Sequence, residues 1–287
     1  MTISIAHLGP TGTYSEAAAI AYAHWLTRTT GQSCLLCPYA NIAQTLQAVA
    51  DQQTLLGVVP IENSIQGSVA VTLDTLWKLD TLQIQKALIL PVSHALISIS
   101  SNLADIKTVY SHPQALAQCR QWLDQHLPLV QLIATNSTTE ALENLPQNPH
   151  AAAISSQRAA QLYQLPILVA DINDYPDNCT RFWVVGLTPT HQGSHLSLAF
   201  STAANVPGAL MKPLQVFAER NINMSRIESR PTKRSLGEYL FFIDLEGSQA
   251  DEPLQSALAE LPQHTAILKI LGNYSVFTIR QGEIIEA

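Results

Sequence analysis

Charge is scarce in this chain, and the scarcity limits what the protein can be. Only 13% of its 287 residues are Asp, Glu, Lys or Arg, against 47% hydrophobic, which is a globular rather than a disordered composition. Long Lys/Arg runs are missing and the net charge is −7, so neither nucleic acid nor an anionic membrane is an expected partner. An anionic ligand must then be met by locally placed cations and backbone N–H groups. No basic segment leads into an apolar one at the start, and no continuously apolar run reaches about 18 residues, so neither export nor membrane spanning is expected and a cytoplasmic protein is the default. Four cysteines (Cys34, Cys37, Cys119, Cys179) are too few for a disulfide scaffold. Cys34 and Cys37 have C-x-x-C spacing but lie in an apolar, strand-like run, where residues three apart point to opposite faces. Two reduced core thiols are expected rather than a redox pair. With no second cysteine pair and no clustered histidines, no metal site is expected.

What is present suits a larger domain followed by a smaller one. Short apolar runs (3–8, 35–39, 55–59, 109–110, 129–134, 151–154, 166–170) alternate with helical segments up to about residue 187, which predicts a largely parallel α/β sheet system with helices on both faces. The apolar stretch 82–99 reads as extended chain joining two lobes, and Ser137-x-x-Glu140 predicts a helix start. Residues 188–194 are polar and turn-rich, a linker. Beyond them the order is βαββαβ, with helices expected over 207–220 and 252–261 and a last strand over 267–271. The expected division is therefore 1–187, a linker at 188–194, 195–276, and a tail at 277–287.

Chemistry-bearing residues collect where strands end. After the first strand, Gly9-Pro10-Thr11-Gly12-Thr13 leads into Thr13-x-x-Glu16, a capping-box spacing, so a glycine turn meets a helix N-terminus; this suits an anion and suits a plain turn equally. The buried run 55–59 empties into Glu62, Asn63 and Ser64, of which a helix cap explains only one. Ser111 and Gln114 also have capping-box spacing, while Gln118 falls one turn beyond Gln114 on the same helix face. Thr180, Arg181 and Phe182 bring a hydroxyl, a guanidinium and a ring to the point where a loop enters a strand.

Gly9 to Ser15, Pro60 to Ser64 with Gly67-Ser68, Ser111-His112-Pro113-Gln114 through Gln118, and Asn178 to Phe182, in that order, resemble prephenate dehydratase. Asn205-x-Pro207-Gly208-Ala209-Leu210 and Glu228-Ser229-Arg230-Pro231 resemble the phenylalanine-contacting motifs of that family's ACT domain. With no mutase-like helical region ahead of Met1, the resemblance is to the monofunctional form. It implies a two-lobed catalytic domain like periplasmic binding proteins, a ferredoxin-like ACT domain, no cofactor or metal, prephenate as substrate, L-phenylalanine as effector, and a dimer or tetramer. By resemblance Thr180 protonates or polarises the leaving oxygen, Arg181 grips a substrate carboxylate, and Phe182 forms an apolar wall. A cation clamp on the carboxylate that departs as carbon dioxide would oppose the reaction, so Arg181 is expected on the pyruvyl carboxylate. Glu62, Asn63, Ser64, Ser111 and Gln118 complete a polar ring, with Thr11, Thr13 and Gln114 as further contacts. Asn205, Pro207, Gly208, Ala209, Leu210, Glu228, Ser229 and Arg230 are the implied effector site. Arogenate as substrate, and a sensor without catalysis, remain alternatives at this point.

Overall fold

The computed structural model describes residues 2–280. Its first lobe is built from β1 (Ile3–Leu8), α1 (Tyr14–Thr30), β2 (Cys34–Tyr39), α2 (Ile42–Ala50), β3 (Leu56–Asn63), β4 (Gly67–Ser68), α3 (Ala70–Lys78) and β5 (Gln83–Pro91). The chain then crosses to a second lobe of β6 (Ala95–Ile97), β7 (Thr108–Ser111), α4 (Pro113–Gln118), α5 (Arg120–His126), β8 (Gln131–Ala134), β9 (Ala151–Ser155), α6 (Gln157–Leu162) and β10 (Ile167–Val169). It returns as β11 (Cys179–Gly186), inserted between β5 and β3. The two crossings are stitched together: Asn173 accepts from the His94 N–H and donates to the Val92 carbonyl, and the Val92 N–H donates to the Asn178 carbonyl.

Because β11 re-enters from the second lobe, it runs antiparallel to both neighbours, and only β1, β2 and β3 form the expected parallel set. The second lobe's sheet, ordered β10-β6-β9-β7-β8, is mixed as well. The helix expected after Ser137 is reduced to a 3-10 turn over Glu140–Asn144. Ser137 accepts from the Glu140 N–H, but the capping position of the turn is Thr139, which makes no side-chain cap bond, and Pro146 follows too closely for an α-helix to extend. Cys34 and Cys37 are free and half-buried, not core residues, because β2 is the edge strand.

Side-chain alternation along β11 separates two cores. Phe182 and Val184 join Ile5, Val58 and the alanine-rich face of α1, whereas Trp183 and Val185 join α2 and α3 through Leu46, Val49, Leu73 and Leu76. The second core runs on into the C-terminal βαββαβ unit: β12 (His195–Ser201), α7 (Met211–Glu219), β13 (Met224–Pro231), β14 (Tyr239–Glu246), α8 (Glu252–Glu260) and β15 (Ile267–Thr278). Its strand order, β13-β14-β12-β15, is the ferredoxin-like one. Helices cover one face through Leu198, Phe200, Phe217 and Leu254; the other face lays Phe242, Leu271 and Tyr274 on the first lobe, with Trp77 edge-on to Phe242.

The last strand is longer than expected. Residues 275–278 leave the C-terminal sheet and pair parallel with β5, so ten strands form one sheet and positions 277 and 278 belong to it rather than to a tail. Gly272 makes the transfer possible: a Cβ there would sit 2.3 Å from the Ile84 carbonyl oxygen. Ile279 follows the strand, buried and with its N–H donating to the Ile89 carbonyl, and residues 281–287 of the expected tail lie outside the described residues. The C-terminal unit's first helix begins at Met211, because residues 207–210 form a turn in which Gly208 has φ +81°.

Candidate active site

A cavity of about 280 Å³ lies at the crossings between the lobes. Thr180 and Phe182 of β11 and Asn63 of β3 line it from the first lobe; Gln114 and Gln118 of α4 line it from the second. Thr180 and Asn63 are direct cross-strand partners, so their side chains emerge on the same face. Asn63 Nδ2 donates to Thr180 Oγ1 at 3.1 Å, and no protein acceptor among the described residues takes the Thr180 hydroxyl hydrogen. Asn63 caps no helix; α3 starts at Ala70 without a side-chain cap. Its Oδ1 instead accepts from the backbone N–H groups of Ile65 and Gln66.

The helix cap of α4 is His112, whose Nδ1 accepts from the Gln114 N–H, not Ser111 as the spacing suggested. That leaves the Gln114 side chain for the cavity. Ser111 is fully buried and donates to the Ile154 carbonyl at 2.6 Å, away from the cavity. Ser64 is exposed and accepts from the Cys179 N–H at the mouth of β11. Thr13 caps α1 and Thr11 is exposed, so the helix brings Tyr14 and Ser15, not the threonines, to the cavity.

Arg181 and Glu62 do not reach the cavity. They too are cross-strand partners, but on the opposite face, where the C-terminal unit packs. The Arg181 guanidinium donates to Glu62 Oε2 at 2.7 Å and to Asp244 Oδ2 at 2.8 Å, and Asp244 is 1% exposed. Arg226 of β13 lies 3.7 Å from the same Asp244 oxygen and donates to Ser68 Oγ, which in turn donates to Glu228. Arg230 is held by Asp74 at 3.0 Å, with Lys233 on the same carboxylate. One face of β13 is thus engaged with the first lobe, and the charged ends of Glu228 and Arg230 contact that lobe through Ser68 and Asp74. Ser229, on the alternate face, is exposed. Asn205 lines a second cavity of about 450 Å³ with Thr232, Gly237 and Tyr239. Pro207, Gly208, Ala209 and Leu210 form the turn before α7, and a Cβ on Gly208 would meet nothing within 4 Å, so only its positive φ requires glycine.

Residues absent from the expected site also line the cavity: Tyr14, Ser15, His94, His112 and Thr138. His94 carries no motif of its own and arrives by topology, just after β5 ends. It is 3% exposed, and burial lowers its pKa, only partly opposed by its hydrogen bond with Gln118. A histidine held neutral in the folded state and free to charge when unfolded costs stability in acid. Folding stability is therefore expected to fall as pH drops below about 6.5, until the lowered folded pKa is passed. Unfolding midpoints across that range measure this, and His94→Gln should flatten the part due to His94.

Residues 5–190 match the family model for prephenate dehydratase and residues 198–263 that for the ACT domain. A prephenate dehydratase of Methanocaldococcus jannaschii is 39% identical over 283 residues, covering 96% of this chain and 100% of that protein. The crystal structure of prephenate dehydratase from Arthrobacter aurescens in complex with L-Phe is similar with TM-score 0.83 and 34% identity, over 96% of this chain and 90% of that one. A protein described as a novel type of quorum-quenching acylase shares the architecture with TM-score 0.77 and 29% identity, over 96% of this chain and 97% of that one.

Proposed function

The chain belongs to the prephenate dehydratase family and carries an ACT domain, and on that premise we propose that it converts prephenate to phenylpyruvate, carbon dioxide and water as a carbon–oxygen lyase of L-phenylalanine biosynthesis, restrained by L-phenylalanine. The catalytic unit is residues 1–187, joined by 188–194 to the regulatory unit at 195–276. The site is the cavity between the lobes.

The reaction breaks two bonds. The electron pair of the bond to the ring carboxylate enters the ring as carbon dioxide departs, the ring's C–O bond leaves with its own pair, and the departing hydroxide takes one proton to become water. Aromaticity supplies the driving force and no electron is transferred to a partner, so the chemistry calls for no redox cofactor. The protein's task is to deliver a proton to a poor leaving group. The observation that carries the reading is the Asn63–Thr180 hydrogen bond: with Oγ1 already accepting, the Thr180 hydroxyl is left to donate into the cavity. Thr180 protonates or polarises the leaving oxygen, and solvent restores its proton.

None of the fifteen residues lining the cavity is Asp, Glu, Lys or Arg. The substrate's carboxylates are met by neutral donors, among them Gln114, Gln118 and the first-turn N–H groups of α1 at Tyr14 and Ser15. For the carboxylate that becomes carbon dioxide this is an advantage, because a guanidinium would favour the charged ground state over the neutral product. The missing carboxylate side chain also favours the keto acid prephenate over arogenate, whose ammonium would be buried unpaired. A sensor has no need of the free hydroxyl hydrogen. Acyl transfer is disfavoured because neither Ser15 nor Thr180 has a histidine as hydrogen-bond partner among the described residues. Purified protein offered prephenate, arogenate and an N-acyl amine separately tests the set: prephenate should be consumed fastest, and preference for either of the others would displace the reading.

Regulation is supported by the ACT domain and by the relative crystallised with L-Phe. We assign effector binding to the Asn205 cavity and the turn at Gly208, in a homodimer or homotetramer of the cytoplasm. Gly208→Val, which opposes the left-handed backbone, should weaken L-phenylalanine inhibition by about tenfold with kcat unchanged. Inhibition curves on both proteins decide it, and an unaltered curve would remove the turn from the effector site.

A further inference from the structure

Asn63 is held one way round by the protein backbone. Its Oδ1 accepts from two N–H groups, those of Ile65 and Gln66, both at 3.1 Å, so its Nδ2 must face Thr180 and Asn178. That orientation propagates. Asn178 Oδ1 accepts from Asn63 Nδ2 at 2.8 Å, which turns the Asn178 amide so that its Nδ2 donates to Gln118 Oε1 at 3.1 Å. Gln118 Oε1 also accepts from His94 Nε2 at 2.8 Å, which requires a proton on Nε2, and burial, which lowers the His94 pKa, favours the neutral ring with that proton alone. His94 Nδ1 is left bare, 3.4 Å from the Tyr14 oxygen, whose own hydrogen is donated to the Ser93 carbonyl. The chain ends on a consequence for the cavity: Gln118 Nε2 is buried and has no protein partner, although Gln118 lines the cavity. A buried amide donor left unpaired is costly unless a ligand accepts from it.

We propose that Asn178 and His94 are positioning residues of the dehydration. In a hydrogen-bond chain of fixed polarity, His94–Gln118–Asn178–Asn63–Thr180, they hold the Gln118 amide so that its Nε2 faces a substrate oxygen, while Asn63, fixed by the backbone, sets the Thr180 hydroxyl. Neither touches the reacting atoms through this chain; each acts on the orientation of the next group. Asn178 is 2% exposed and is not among the lining residues, and it sits where the return crossing becomes β11, so it links donors from both lobes. This rests on the dehydratase reading, but its test does not depend on that alone.

Asn178→Asp keeps an acceptor for Asn63 and loses the donor for Gln118, unless the new carboxyl is protonated. Its kcat should fall by about tenfold or more near neutral pH, with KM within about threefold, and should recover towards acid as the carboxyl gains a proton. His94→Gln retains a donor near the Nε2 position and should keep most of kcat, whereas His94→Phe should lose about tenfold. A kcat for Asn178→Asp that matches the parent, or a loss without acid recovery, would overturn the proposal. Independently of activity, ¹⁵N NMR of the unmodified protein should find His94 neutral and protonated on Nε2. An Nδ1–H tautomer, or an ordinary histidine titration, would overturn it whatever the substrate proves to be.

Discussion

Thr180→Val should lower kcat for prephenate by about two to four orders of magnitude while KM moves by no more than a few-fold. Valine matches threonine in shape and removes only the hydroxyl, so the neighbouring Phe182 packing is preserved. What disappears is the one cavity hydroxyl whose oxygen is already supplied by an amide, Asn63 Nδ2 at 3.1 Å. The interaction lost is made fully only as the C–O bond breaks and the oxygen gathers charge, which is why kcat bears the effect. Thr180→Ser should keep substantial activity, reduced because a serine rotor is less confined. If Thr180→Val instead raised KM with kcat intact, Thr180 would be a binding residue and the proton would have to come from elsewhere, His112 being another titratable side chain on the cavity wall.

Arg181→Met should cost about 3–5 kcal/mol of stability and leave KM for prephenate nearly unchanged in the protein that remains folded. Asp244 is 1% exposed and rests on Arg181 at 2.8 Å, on the Ser197 hydroxyl at 2.6 Å, and more distantly on Arg226 at 3.7 Å. Removing Arg181 leaves a buried carboxylate with its best cation gone. Adding Asp244→Asn to the same variant should recover much of the loss, because the charge needing the partner is then removed. Since Asp244 and Arg226 belong to the C-terminal unit and Arg181 to β11, the same substitution should also alter the L-phenylalanine inhibition curve. Thermal unfolding midpoints and KM values on the single and double variants separate the outcomes. A KM raised about a hundredfold with stability intact would restore Arg181 to the substrate's carboxylate.

The two faces of β11 and β3 show how far adjacency in the sequence can be read. Thr180-Arg181 and Glu62-Asn63 are adjacent pairs, and adjacency suggested a shared site. Both pairs lie on strands, where neighbouring side chains face opposite ways, so each pair divides between the cavity and the interdomain face. The period-two rule was available from sequence once those residues were placed on strands. Asp244 also left a trace: an acid inside Leu240-Phe241-Phe242-Ile243-Asp244-Leu245 is a charge set in a core strand, and such a charge requires a partner. His94 left none, because its position depends on two crossings meeting, a non-local fact. The antiparallel insertion of β11 was hidden for the same reason, while strand and helix succession, the cap at Thr13 and the βαββαβ unit follow from local signals.

The division between the two faces of β11 is tested most directly by the structure of the Thr180→Val variant with unreacted prephenate bound. The account predicts the ring hydroxyl oxygen against the side chain at position 180, a substrate oxygen accepting from Gln118 Nε2, and Arg181 still on Glu62 and Asp244. Either substrate carboxylate resting on the Arg181 guanidinium would contradict it.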